Sequence, residues 1–223
     1  KCRKWKYIST LQSGVIMSSE FGYIPESPDQ SFGNNKGIFT PTDIYDLTRA
    51  DKYTNYGQLE LIETQTVSGV STVDFTSIKE DEYGVHLLIA HGLNKSSVDV
   101  VCLRFYESGV LETGSVYKYG FEELQSNNTG QQIRSTAQTF LQFEVANTAE
   151  DTAGYNYFYK LGDNTSYSYQ TTQYINDDNP RIKFYFGGGS LPQNSIVDGF
   201  RLFTNSGNNF NGVFSLYGLK FTL

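Results

Sequence analysis

The sequence has few of the residues that carry most catalytic and metal chemistry. Its 223 residues include two cysteines and two histidines, and none of its apolar runs approaches the ~18 residues of a membrane span. Two cysteines cannot build a disulfide framework, so packing must stabilise the fold. The basic start is not followed by an apolar segment. We therefore expect neither a membrane-inserted segment nor a signal peptide.

The remaining candidates for catalysis or metal binding are weak. His86 and His91 are separated by an odd spacing within one predicted strand, so they face opposite sides and cannot share a metal ion. No Gly-x-Ser-x-Gly elbow occurs, and residues 187–189 are glycines that we predict to form a turn between strands. They cannot cradle a phosphate, because no predicted helix follows them. We predict no metal site and no cofactor.

Positive charge is also scarce. The chain has 24 acidic against 17 basic residues, a net charge of -7, which argues against a nucleic-acid partner. Acidic groups recur in predicted turns at residues 80–82, 122–123, 150–151 and 177–178. A glycan-degrading enzyme would need two such carboxylates facing each other across a cleft. Solvated charge is the ordinary state of carboxylates in turns, so we predict that the protein is not an enzyme.

Aromatic residues and glycine are abundant instead, with 17 Tyr, 16 Phe and 21 Gly. From Leu59 onward, apolar residues alternate in short segments separated by turns, and this pattern predicts about eleven strands. Residues 58–223 are therefore predicted to form an all-β domain, a β-sandwich of the jelly-roll or lectin-like type. Within it, residues 194–223 are predicted to form a closing β-hairpin around the Asn- and Gly-rich turn at residues 205–209.

Residues 1–57 have a different texture, with single apolar residues spaced along a polar segment. Such a segment cannot form its own core, so we predict an extended arm that attaches to another surface. Trp5 and Tyr7 are the predicted anchors near its start. One short helix is predicted at residues 41–50, because Thr, Pro and Asp at positions 40, 41 and 43 form a helix start signal. Ile44 and Leu47 are predicted to dock this helix.

Tyrosines form the most suggestive group in the domain. Three of them alternate along one predicted strand, so their rings should share one sheet face. Two more follow on the next predicted strand. Tyrosine combines a flat apolar ring with a hydroxyl, which suits a sandwich core, a subunit interface or a sugar-binding surface. The candidate ligand-binding or interface residues are Tyr155, Tyr157, Tyr159, Tyr167 and Tyr169.

Parts of the sequence resemble the structural proteins of tailed bacteriophages. Residues 69–78, followed by Tyr83 and an apolar strand, are similar to a recurring opening in those proteins. Residues 198–220 resemble their glycine-led closing segment, and residues 36–47 resemble the leader that precedes such domains. The resemblance covers these ends and leaves out the tyrosine group.

This resemblance implies a virion surface protein, of the tail-fibre, appendage or head-decoration type, that assembles with other virion proteins and often as a homotrimer. A phage structural protein anchored by its N-terminal arm is therefore our first hypothesis. The second is a carbohydrate-binding module that recognises a host-surface glycan through the tyrosines. The third is the glycan-degrading enzyme.

Overall fold

The structure of the protein is a computed structural model. It describes residues 40–50, 59–144 and 151–220, and the backbone alone of residues 30–31 and 34–35. Chain contacts define two compact units, Lys1–Asn55 and Tyr56–Leu223. Most of the predicted arm, including Trp5 and Tyr7, lies outside the described residues and stays a prediction.

The described part of the first unit holds a strand pair, β1 (Gln30–Ser31) and β2 (Asn34–Asn35), and a helix, α1 (Pro41–Arg49). The predicted helix start is confirmed as a capping box. The Thr40 hydroxyl accepts from the Asp43 N–H at 3.2 Å, and the Asp43 carboxylate accepts from the Thr40 N–H at 2.8 Å. Ile44 and Leu47 are half-buried on α1. In the described parts of the chain, no helix has the length and apolar character needed to cross a membrane.

The described residues of the second unit form thirteen strands, two more than the pattern predicted. Their bounds are β3 (Leu59–Val70), β4 (Thr72–Phe75), β5 (Val85–Lys95), β6 (Val101–Glu107), β7 (Val110–Leu111), β8 (Tyr117–Gln125), β9 (Gly130–Gln138), β10 (Leu141–Glu144), β11 (Thr152–Tyr159), β12 (Ser168–Asp178), β13 (Arg181–Leu191), β14 (Val197–Thr204) and β15 (Phe210–Leu219).

These strands form two antiparallel sheets. The large sheet has the order β3-β15-β5-β11-β12-β13-β8-β9, and the small sheet has the order β10-β6-β14-β4 with β7 paired to β6. Successive strands cross repeatedly from one sheet to the other, which is the connection pattern of two-sheet jelly rolls. The prediction of an all-β sandwich with one short helix is confirmed.

The core lies between the inner faces of the two sheets. Aromatic rings dominate it: Phe200 of the small sheet stacks on Phe75 at 4.9 Å and contacts Phe158 of the large sheet at 5.1 Å between ring centroids. Inner and outer residues alternate along β15, where Phe210, Phe214 and Leu216 are fully buried. One face of each sheet is therefore fixed in the core, and the outer faces are left for function.

The closing hairpin was a wrong prediction. β14 pairs with β4 and β6 in the small sheet, whereas β15 pairs with β3 and β5 in the large sheet. The two apolar runs therefore face each other across the core. The connection is held by Asp99, whose carboxylate accepts from the Ser206 N–H at 3.0 Å and from the Asn208 side-chain amide at 3.1 Å.

The predicted turn at residues 187–189 was also wrong, because all three glycines lie inside β13. Glycine is needed there because neighbouring backbones come very close. A Cβ at Gly187 would lie 2.3 Å from the Gly120 carbonyl oxygen, and one at Gly188 would lie 2.4 Å from the Gln170 carbonyl oxygen. The run is a site of close strand contact.

Candidate functional site

Three of the predicted tyrosines form a row on the outer face of the large sheet. Tyr155, Tyr157 and Tyr159 alternate along β11 with Asn156 and Phe158, which are buried on the inner side. The ring centroids of Tyr155 and Tyr157 are 5.6 Å apart, and those of Tyr157 and Tyr159 are 6.3 Å apart. These contacts hold the three rings as one aromatic ridge, as edge-to-face and stacked pairs do.

Tyr167 and Tyr169 extend this aromatic surface onto β12. Tyr169 is the cross-strand partner of Tyr159, and Tyr167 directly precedes the strand. Tyr167 is 44% exposed and Tyr169 is 42% exposed, whereas Tyr174 points inward from the same strand and is buried. The five predicted tyrosines therefore lie outside the sandwich core, which leaves a subunit interface or a ligand-binding surface.

Side chains of β12 fix the orientation of the ridge. The Tyr155 hydroxyl donates to the Gln173 side-chain carbonyl, directly across the strand pair. The Tyr159 hydroxyl lies 3.3 Å from the Thr171 hydroxyl. Because these bonds anchor the ends of both rings, the ridge is ordered before any ligand arrives, which lowers the entropic cost of binding.

The ridge ends at a cleft of about 610 Å³, which we call the tyrosine cleft. Tyr159 and Tyr169 form its sheet side, and two loops form the rest. This volume is within the usual range for small-molecule sites. The loop residues that line the cleft are Glu80, Asp81, Glu82, Tyr83, Gly84, Lys160, Leu161, Gly162 and Asp163.

Buried anchors position the two loops. Ile78, two residues before the cleft lining, and Leu161, which belongs to the lining, are both buried in the core. The loops touch where Gly162 meets Glu80, since a Cβ at Gly162 would lie 2.3 Å from the Glu80 carbonyl oxygen. The cleft is thus built from two loops that pack on each other and on the sandwich.

The charged residues that line the cleft are mainly acidic. The hydroxyl and the backbone N–H of Thr165 donate to Asp163 at 2.6 and 2.8 Å and hold the pKa of this carboxyl down at about 2. Lys160 lies 3.7 Å from Asp163, and Lys79 lies 3.6 Å from Glu82. Asp163 therefore stays ionised at neutral pH and suits an acceptor of hydrogen bonds.

This arrangement bears on the glycosidase alternative. Four carboxylates line the tyrosine cleft, three from residues 80–82 and one from Asp163. A glycosidase needs one carboxyl group that keeps its proton near neutral pH, and the depressed pKa of Asp163 makes it unsuited to that role. Asp163 is better suited to accept hydrogen bonds from ligand hydroxyls.

The other residues considered for catalysis or metal binding lie outside the tyrosine cleft. His86 is buried at the start of β5 and His91 is exposed, so the two histidines face opposite sides as predicted. Asp178 is bound by Arg181 at 2.6 Å and by Lys183 at 2.8 Å, and its pKa is lowered, chiefly by the hydrogen bond from Lys183. Among the residues that the structure describes, no group of three His, Cys, Asp or Glu side chains could hold a metal ion.

No sequence pattern indicated that the two loops would meet the tyrosines. Residues 80–82 precede β5, residues 160–163 follow β11, and the contact depends on the pairing of β5 with β11. Period-2 alternation predicted the shared face of Tyr155, Tyr157 and Tyr159, but it carries no information about loop contacts.

Comparisons with known proteins add nothing to this geometry. No protein-family model matches the chain, and neither a curated protein nor a solved structure is significantly similar to it. The function must therefore be inferred from the chemistry of the tyrosine cleft and from the sequence patterns.

Proposed function

We propose that the β-sandwich is a carbohydrate-binding domain that recognises its ligand at the tyrosine cleft. The observation that carries this proposal is the placement of two tyrosine rings, Tyr159 and Tyr169, at the side of a cleft that four carboxylates also line. A sugar ring offers an apolar C–H face, which packs on an aromatic ring. Its hydroxyls donate to carboxylates such as Asp163. The cleft provides both kinds of contact.

The charge of the cleft limits the class of carbohydrate. Carboxylates at Glu80, Asp81, Glu82 and Asp163 repel uronic and sialic acids, and the whole chain has a net charge of -7. Neutral and amino-sugar glycans avoid this repulsion. We therefore expect the protein to select them over acidic glycans.

Removing a ring from the cleft tests this proposal. Tyr169→Ala and Tyr159→Ala should each weaken binding about tenfold, because a lost aromatic stacking contact costs roughly 1.5 kcal/mol. The ligand would be chosen on an array of neutral, amino-sugar and acidic oligosaccharides, and its dissociation constant would be measured by titration calorimetry.

Tyr45→Ala is the matched control, since Tyr45 is an exposed tyrosine on α1 (64% exposed). It should leave the dissociation constant unchanged. Full-length protein that binds no oligosaccharide on the array would refute the proposal, and so would cleft variants that bind as well as the wild type. Product analysis of the same mixtures would reveal any hydrolysis.

We also propose that the protein belongs to the surface of a tailed-phage particle, with residues 1–57 attached to other virion proteins. The resemblance of residues 36–80 and 195–220 to phage structural proteins supports this proposal. The homotrimer that this resemblance implies needs a contact surface, and a second apolar group lies on the outer face of the large sheet, at the end opposite the tyrosine cleft. Its members are Leu124, Ile175, Ile182 and Phe184.

Deletion of residues 1–57 tests the virion proposal. The shortened chain should still fold, because residues 56–223 form their own compact unit, yet it should no longer be incorporated into particles. Incorporation would be measured by immunoblotting of purified particles, and folding by thermal denaturation. Particles that contain the shortened chain at the normal level would contradict the role of the arm.

A further inference from the structure

A shallow trough, with two glycines as its floor, crosses the outer face of the large sheet beside the tyrosines. Thr171 of β12 pairs with Gly188 of β13, Gly188 pairs with Gly120 of β8, and Gly120 pairs with Arg134 of β9. These four residues form one row across the strands, and its centre consists of two glycines. A Cβ at Gly120 would meet no atom within 4 Å, so the space above this glycine is open.

The neighbouring rows provide the walls of the trough. Phe186, Glu122 and Gln132 are cross-strand neighbours on one side, and Lys118 and Ser190 pair on the other side. A cavity of about 320 Å³ lies over Gly120, and Phe186, Glu122, Gln132 and Arg134 are among its lining residues. Phe186 is 44% exposed. The trough therefore has an aromatic side wall and a polar end.

The trough and the tyrosine cleft are neighbours on this face. Thr171 lies at one end of the trough and contacts the Tyr159 hydroxyl. Tyr169 pairs with Ser190, which belongs to the wall of the trough. Since neighbouring strands are about 4.8 Å apart, the path from the ridge on β11 to Arg134 on β9 covers about 19 Å.

We infer that the ligand is an extended oligosaccharide that lies across the strands, from the tyrosine cleft through the Gly120 trough to Arg134. This inference rests on the proposed carbohydrate binding and specifies the form of its ligand. A short saccharide would contact the cleft only, whereas a longer oligosaccharide gains contacts along the trough. Phe186 packs on a sugar ring, and Glu122, Gln132 and Arg134 bond to hydroxyls at the far end.

The free bonding capacity of these polar groups supports the inference. The Glu122, Gln132 and Arg134 side chains make no hydrogen bond or ion pair with the other described residues. A glutamate, an amide and a guanidinium together offer both acceptors and donors, which a neutral sugar with several hydroxyls requires. A flat protein surface laid over this face would leave the space above the two glycines unfilled, whereas protein interfaces pack as densely as protein interiors.

Gly120→Val is the decisive variant, because its side chain fills the trough without disturbing the fold. The site is open, and a β-branched residue suits a strand. Affinity for oligosaccharides of six to eight units should fall about tenfold, while affinity for the disaccharide stays at the wild-type value. Gly188 is unsuitable for this purpose, since its Cβ would meet the Gln170 backbone. The probe is a ladder of two to eight units of the best neutral glycan on the array.

Thr66→Val is the control, since Thr66 is exposed on β3, at the opposite edge of the same sheet. It should leave the affinity for every oligosaccharide unchanged. If Tyr169→Ala weakens binding but Gly120→Val does not affect long chains, the proposed function stands and the trough inference is overturned. A wild-type affinity that does not rise with chain length overturns it as well. A change in oligomeric state with Gly120→Val, measured by light scattering, would assign the trough to a subunit interface instead.

Discussion

Replacing Lys95 by methionine should destabilise the protein by about 3–5 kcal/mol, the usual cost of removing one partner of a buried ion pair. Lys95 at the end of β5 and Glu144 at the end of β10 form an ion pair at 2.7 Å, and both side chains are fully buried. The pair joins the large sheet to the small one. Methionine has a similar length but no charge, so the Glu144 carboxylate would remain buried without its cation. Urea denaturation would measure the loss of unfolding free energy.

The matched control is Lys79→Met, which removes the exposed ion pair of Lys79 with Glu82. Both side chains of that pair are about half exposed, and its loss should cost less than about 1 kcal/mol. The double variant Lys95→Met with Glu144→Leu should recover much of the lost stability, because it removes both buried charges together. A double variant as unstable as the sum of the single variants would contradict this account.

The composition of the sequence and the alternation of its apolar residues were sufficient to predict the fold class. Alternation along β11 placed Tyr155, Tyr157 and Tyr159 on one face, and the structure has them in ring contact on the outer face of the large sheet. The helix start at Thr40 was equally readable, because a capping box depends on three neighbouring residues. Features that depend on local spacing were therefore predictable.

Features that depend on which strands pair with each other could not be predicted from the sequence. Two apolar runs joined by a polar turn fit both a hairpin and a crossover between sheets, and β14 and β15 form the crossover. β9 has a weak strand pattern because Ile133 is its single large apolar residue, as suits a strand at the edge of a sheet. The glycine run of β13 fits a turn when only the sequence is considered. Glycine is needed there because the β8 and β12 backbones come close, and those strands lie far away in sequence.

The same limit explains the candidate site. The tyrosines could be proposed from their spacing, whereas the cleft also needs the loop at residues 80–82, about eighty residues away in sequence from the loop at residues 160–163. The trough needs glycines from two neighbouring strands, and Gly120 alone gives no hint of it. Sequence reasoning therefore predicted the shared face of the tyrosines but not the cavity beside them.

Acidification should destabilise the protein through His86, by about 3 kcal/mol between pH 6.5 and pH 4. The His86 Nε2 lies 2.8 Å from the Ile78 carbonyl oxygen, and burial lowers the pKa of this imidazole to about 4. In the unfolded chain the pKa is about 6.5, so below that pH the unfolded state binds a proton that the folded state does not. The contribution to stability is complete above pH 6.5 and falls by about 1.4 kcal/mol per pH unit until the folded pKa is reached.

Urea denaturation of His86→Gln at several pH values would isolate this effect. The variant loses the titrating imidazole, so its stability should fall about 3 kcal/mol less than that of the wild type between pH 6.5 and pH 4. His91→Gln is the control: His91 is exposed and is the other histidine of the sequence, so this variant should follow the wild type. Carboxylates that titrate in this range are common to all three proteins and cancel in the comparison. If the stability of His86→Gln and of the wild type changes equally with pH, then folding does not alter the proton affinity of His86, and this prediction is wrong.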